Sequence, residues 1–298
     1  MNAGQPGIFA QGAKHHYHLE FDLRADAPAE AVADALHGVR EPAVTVGGGN
    51  VVVGFGPDLW RRLSPEGAPH DLRSFAPIAG PSGPRAPATQ HDLWVWLHGV
   101  GPDLLLDMAR GVARRLRGVA DLATDQPCFV YRDSRDLTGF VDGTENPPVD
   151  EAVDVALIPD DRVGGRGSFA MTMRWVHDLD AFHALATREQ ENVFGRSKEM
   201  SIELDDKPNT AHISRVVIEE DGEELEIFRR STPYGNVGES GLFFVAFSAD
   251  QSRFDKMLAR MFGTAGDDVT DHLLAFTRPV SGSYYFVPSL DALEPLVG

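Results

Sequence analysis

Asp142 lies near the middle of the chain, in Gly139-Phe140-Val141-Asp142-Gly143-Thr144-Glu145-Asn146-Pro147. Glycines beside an acid allow positive φ and close backbone approach. Pro147 holds Asn146 out of helix. Such a loop can present a carboxylate to something. It can equally be an ordinary turn between domains, because short Gly/Asp loops are common. Two further groups would give it chemistry. His212, in Asn209-Thr210-Ala211-His212-Ile213-Ser214-Arg215, is an imidazole that either ligates a metal or caps a strand. Arg229, in Ile227-Phe228-Arg229-Arg230-Ser231-Thr232-Pro233-Tyr234-Gly235, is a guanidinium. Together they could move a proton and steady an anion as it forms.

The elements that must position these groups follow from pattern. His15–Leu23 alternates as a strand. Ala29–Leu36, after Pro28, is rich in helix formers. Val44–Val46 and Val51–Phe55 flank Gly47-Gly48-Gly49-Asn50 and read as a hairpin. A phosphate loop is excluded there, since no Gly-Lys-Ser/Thr follows. His91–His98 is a strand with Trp94 and Trp96 on one face. A helix from Pro102 stops at Gly118, with Leu104, Met108, Val112 and Leu116 as its stripe. Its late arginines, Arg114, Arg115 and Arg117, read as a solvated helix end. Glu151 to Gly167 is loop-like. Phe169–His177 is a strand with Phe169, Met171, Met173 and Trp175 on one face, and Asp178 caps the helix after it. Leu242–Phe247 is a strand, and Phe254, Met257, Leu258 and Met261 stripe the helix that follows. The strand and helix from Leu93 are echoed from Leu242, half a chain later. This ordering implies an α+β fold of two units, 1–138 and 139–298, each an antiparallel sheet with helices on it.

Asp221-Gly222 is a strong two-residue turn signal. In its register Ser214 faces Arg229, so His212 and Arg229 would share one face of the ladder, about 7–8 Å apart on the diagonal. In that register the two groups could not bind opposite sides of one ligand, the arrangement that the resemblance given below implies. The ladder must therefore end before His212, which belongs on a loop or helical turn. Arg230 points away from Arg229 and reads as a solvated arginine.

Composition excludes several classes. A net charge of −18, spread over both halves, argues against nucleic acid and anionic membrane. The single cysteine, Cys128, allows no internal disulfide or thiolate cluster and reads as a buried side chain. Met1 to Lys14 has no basic stretch followed by an apolar run, and no apolar run is long enough to span a bilayer. The expectation is a cytoplasmic protein.

The run from Gly139 to Pro147 resembles the distal haem loop of the dye-decolourising peroxidases, whose hallmark is Gly-x-x-Asp-Gly. Further similarity lies at 210–215, 227–235 and Ser281–Ser289. The resemblance implies two ferredoxin-like units with haem b held in the second, in the compact bacterial B-type branch. It makes His212 the axial iron ligand, within Ala-His-x-x-Arg, and Asp142 and Arg229 the catalytic pair over the haem. Gly143 and Thr144 would touch the cofactor. Asp271, otherwise an exposed helix acid, would take the second imidazole N–H. Relatives of this branch often carry Asn where this chain has Ser231, which can give only one hydroxyl donor. Tyr284 and Tyr285 are core aromatics or electron relays. The implied reaction reduces hydrogen peroxide through a ferryl intermediate and oxidises dyes, phenolic or other one-electron donors. A homo-oligomer is implied, and no C-terminal shell-loading tail is seen. The alternatives are a haem carrier, sensor or iron-releasing protein, or a colourless acid–base enzyme using Asp142 with His212.

Overall fold

A computed structural model describes residues 3–37, 39, 48–81 and 83–297. The first half contains β1 (His15–Leu23), α1 (Ala29–Leu36), β2 (Asn50–Phe55), α2 (Pro57–Leu63), β3 (Leu93–Gly99), α3 (Pro102–Leu116) and β4 (Ala120–Phe129). The second begins with α4 (Val149–Ala156) and β5 (Ser168–His177), followed by three short helices, α5 (Leu179–His183), α6 (Thr187–Phe194) and α7 (His212–Val216). Then come β6 (Phe228–Arg229), β7 (Thr232–Gly235), β8 (Ser240–Ser248), α8 (Ser252–Met261), β9 (Thr277–Pro279), β10 (Ser283–Val287) and α9 (Leu290–Val297).

The two halves share one topology. The first sheet runs β4-β1-β3-β2 and the second β10-β5-β8-β6, with β7 also on β8 and β9 on β5. Counted within each half, both follow the order four, one, three, two, and all neighbours are antiparallel. That is the split βαβ arrangement of a ferredoxin-like unit. The sheets touch through a single rung, Phe286 opposite Phe55, and β7 lies against β4 at the far edges. They therefore face each other, with α1, α3 and α8 on the outer faces.

Strand parity explains the layers. Leu93, Val95 and Leu97 of β3 face outward into a core with α1 and α3, while Trp94 and Trp96 face inward. Phe243, Val245 and Phe247 of β8 meet those tryptophans from the second sheet. On α8 the buried positions are Phe254, Leu258 and Met261, a spacing of four and three that covers the outer face of the second sheet.

Local expectations differ in three places, and a fourth is untested. The stripe of α3 is Leu105, Ala109, Val112 and Leu116, so Leu104 and Met108 lie at its margin. Residues 149–156 are helical, not loop, with Ala152, Val155 and Ala156 buried against the second sheet. Its helix formers are masked in the sequence by a crowd of acids. The helix after Asp178 ends at His183, although Asp178 caps it by accepting from Ala181 N at 3.0 Å. The Val44–Val46 arm of the expected hairpin lies outside the described residues; the described pairings of β2 are with β3 and β10.

Candidate active site

The loop carrying Asp142 is fixed at several points. Asp136 N–H donates to Phe140 O, and Gly139 N–H donates back to Asp136 O, both at 2.8 Å. Gly139 and Gly143 take φ of +90° and +80°, where a side chain would be strained. Phe140 anchors the loop by stacking on Phe194 at 4.0 Å. At the other end Asn146 makes a two-point clamp on the Arg229 backbone. Its Nδ2 donates to Arg229 O and its Oδ1 accepts from Arg229 N, each at 2.8 Å. One side chain thus ties the carboxylate loop to the strand bearing the guanidinium.

Asp142, Gly143, Thr144, Arg229 and His212 all line one cavity. Its walls are apolar: Met171, Met173 and Trp175 from β5, Leu242 and Phe244 from β8, and Met261 from α8. The Asp221-Gly222 hairpin is confined to Glu219–Glu220 and Glu223–Glu224, in the expected register. His212 lies outside it, at the first turn of α7. Arg215 secures that helix to the end of α8 by donating to Arg260 O at 3.1 and 3.0 Å, and it pairs with Asp267 at 2.8 Å.

His212 Nδ1 lies 2.6 Å from Asp271 Oδ2. Asp271 has no exposed side-chain surface, and its other oxygen accepts from Leu273 N at 2.8 Å. A buried carboxylate so placed orients the ring and leaves Nε2 for a metal. Across the cavity, burial pushes the Asp142 carboxyl above its ordinary range. Arg229 pulls it down, Asp136 pushes it up, and the Gly143 N–H pulls it down. Burial and the neighbouring anion outweigh the guanidinium.

Sequence reasoning missed a second polar cluster on the same cavity. Asp136 Oδ2 accepts from Thr138 N at 2.9 Å and Thr138 Oγ1 at 2.6 Å. Its Oδ1 meets His177 Nε2 at 3.1 Å, and His177 Nδ1 meets Thr277 Oγ1 at 2.7 Å. Burial pushes the Asp136 carboxyl up, but the bonds from His177 and Thr138 hold it below its ordinary range. A signal existed: His177 continues the odd-numbered face of β5 that bears Met171, Met173 and Trp175. Ser231 does not line the cavity among the described residues. Its Oγ accepts from Val245 N at 3.2 Å, so the hydroxyl serves the gap between β6 and β7.

The cavity fits an iron porphyrin by its chemistry. It offers an apolar enclosure, an imidazole with one nitrogen held by a buried acid, and a carboxylate and a guanidinium elsewhere on its lining. Fold and site together define a ligand-binding α+β protein of two ferredoxin-like units. The family model described as Dyp-type peroxidase, C-terminal, matches residues 133–292, and that for the N-terminal domain matches residues 5–129. A dye-decolorizing peroxidase of Rhodococcus erythropolis is 38% identical over 86% of this chain and 76% of its own length. A putative dyp-type peroxidase from Shewanella oneidensis superposes with a TM-score of 0.92 at 34% identity, covering 98% of each chain. A variant of Rhodococcus jostii DypB in complex with heme gives 0.90 at 33% identity, also over 98% of each. The chain belongs to the Dyp-type peroxidase family and is a haem-dependent peroxidase.

Proposed function

We propose that the protein reduces hydrogen peroxide and oxidises dyes, phenolic and other one-electron donors, with Asp142 and Arg229 as the catalytic pair. The observation that carries this reading is a single apolar cavity lined by Asp142, Arg229 and a His212 oriented by a buried Asp271. His212 would hold the iron of haem b through Nε2, with Gly143 and Thr144 against the porphyrin. When bound, the haem supplies the redox chemistry that accepts oxidising equivalents from peroxide.

The remaining work belongs to the chain. Asp142 takes the peroxide proton and returns it to the departing oxygen, a general-base then general-acid role. Arg229 steadies the negative charge on that oxygen in a cavity where water competes poorly. Asn146 holds the two groups in one geometry through its clamp on Arg229. Asp271 accepts the Nδ1–H of His212, fixing the tautomer and raising the basicity of the ligand nitrogen. We also read the protein as a cytoplasmic homo-oligomer; among the described residues no helix is long and apolar enough to cross a membrane.

The test is the absorption spectrum of haem-loaded protein before and after one equivalent of peroxide, followed by donor turnover. A Soret band that shifts with peroxide and returns with donor supports the reading. A haem-bound protein that ignores peroxide contradicts it and leaves a carrier or sensor.

A further inference from the structure

The cavity lined by Asp142 has a second polar face. Asp136, Thr138, His177 and Thr277 lie together on its lining. His177 ends β5 and Thr277 opens β9, and the two are paired across the ladder. Both residues also line a second hollow of about 550 Å³, bounded by Asp178, Asp180, Glu239 and Arg278. All four of these charged residues are exposed, so the hollow opens to solvent. His177 and Thr277 thus stand in the wall between two spaces. One reaches solvent, and the other encloses the reacting groups.

A continuous hydrogen-bonded chain crosses that wall. Thr277 Oγ1 lies 2.7 Å from His177 Nδ1, and His177 Nε2 lies 3.1 Å from Asp136 Oδ1. The other oxygen of Asp136 is fixed by Thr138 N and Thr138 Oγ1. Burial pushes the Asp136 carboxyl up, but the bonds from His177 and Thr138 hold it below its ordinary range. It therefore accepts from His177, which places a hydrogen on Nε2. Nδ1 then accepts the Thr277 hydroxyl hydrogen, whose other acceptor is Val176 O at 3.3 Å. An imidazole can take a hydrogen on one nitrogen and release another from the opposite one. Asp136 in turn stands near Asp142. After burial, and against the pull of Arg229, its charge pushes the Asp142 carboxyl up.

We infer that Thr277, His177 and Asp136 form the path by which protons enter the cavity from solvent while donors reduce the enzyme. This rests on the proposed peroxidase function, whose balance requires protons. One hydrogen peroxide, two electrons and two protons give two water molecules. The proton that Asp142 moves comes from peroxide itself, so Asp142 brings none in. Donors oxidised outside the cavity leave their own protons outside. In each entry step the Nε2–H bond breaks and its proton passes to Asp136 Oδ1. The Thr277 hydroxyl passes its hydrogen to Nδ1 and takes a replacement from solvent. Asp136 then releases its proton into the cavity beside Asp142, since a carboxyl held low does not retain it. Rotation of the ring about its side-chain bonds, with hydrogen exchange on the outer side, restores the starting tautomer.

The experiment is stopped-flow absorption of the full-length haem-loaded protein, treated with one equivalent of peroxide and then mixed with ferrocyanide, a donor that carries electrons and no protons. Wild type, Thr277→Val, Thr277→Ser and His177→Phe are compared in light and heavy water. The expected result is a donor step slowed about tenfold or more in Thr277→Val and His177→Phe, by more than the peroxide step is slowed. The solvent isotope effect on that step should exceed the wild-type value. Thr277→Ser keeps the hydroxyl and should restore most of the rate. His177→Phe interrupts the same chain at a second link, which covers the case in which a Thr277 variant folds poorly. A second readout needs no turnover. In the diamagnetic carbon monoxide complex of the reduced haem protein, nuclear magnetic resonance should place the His177 hydrogen on Nε2, and its exchange with water should slow in Thr277→Val. Loss of a merely structural hydrogen bond would quicken that exchange. If peroxide changes the haem spectrum but Thr277→Val and His177→Phe keep the wild-type donor step and isotope effect, or if the ring hydrogen exchanges faster in Thr277→Val, this inference is overturned and the peroxidase reading stands. If peroxide leaves the wild-type haem unchanged, the peroxidase reading fails and the inference falls with it.

Discussion

The two halves of the molecule share a strand order and differ in what connects their first and second strands. In the first half the described part of that connection is α1, which packs with α3 over the outer face of the sheet. Val32, Leu36, Leu105, Ala109, Val112 and Leu116 are buried there. In the second half α8 takes the place of α3, but residues 178–227 carry α5, α6, α7 and a short acidic hairpin where the described residues of the first carry α1. Those short pieces do not close over the sheet. They leave Met171, Met173, Trp175, Leu242 and Phe244 facing a cavity and set His212 at its edge. The same scaffold thus gives a filled core in one unit and, in the other, the cavity in which we propose the haem is held. Function here comes from one elaborated connection and the loop that precedes it, not from the sheet.

If that contrast is right, substitutions in the two units separate catalysis from stability. Asp142→Asn should have the largest catalytic effect, lowering the rate with peroxide by about 10²–10⁴-fold, the range for a positioned proton-transfer group. Arg229→Leu should cost about 10²–10³-fold, as for an oxyanion donor. Asp271→Asn keeps the size of the side chain but weakens the hold on His212, and should cost about 10–100-fold in activity or haem retention. Stopped-flow absorption measures all three. Leu105→Ala in the first unit should instead lower unfolding stability by about 2–5 kcal/mol and leave the rate with peroxide near wild type. A large rate loss in Leu105→Ala, with haem fully bound, would break the comparison.

The sequence displayed the site more clearly than its supports. Asp142, Arg229 and His212 were singled out by the resemblance of their stretches to family motifs, since their residue types alone left an ordinary turn or a capped strand open. The displacement of His212 from the hairpin was also legible, because the Asp221-Gly222 turn fixes a register that a ligand between the two groups could not tolerate. Asn146 was hidden, since its role is a contact with Arg229 across the chain that no local pattern encodes. Arg230 was misread as solvated. It is half-buried, donating to Ile8 O at 2.6 Å and Ala10 O at 2.7 Å, because the opposite face of β6 is an inner face of the sandwich and not a surface. The raised Asp142 carboxyl was hidden as well, since burial and the nearness of Asp136 are properties of the folded cavity.

The pH dependence of the rate constant for the peroxide reaction is the most direct test, measured in haem-loaded wild type, Arg229→Leu and Asp136→Asn. Asp142 must be ionised to accept a proton, so the rate falls as pH drops through its raised value. Loss of Arg229 removes a group that pulls this value down, and the acid limb should move to higher pH. Loss of the Asp136 charge removes a group that pushes it up, and the limb should move to lower pH. Opposite displacements are the predicted result. An acid limb that stays in place in both variants would contradict Asp142 as the working base.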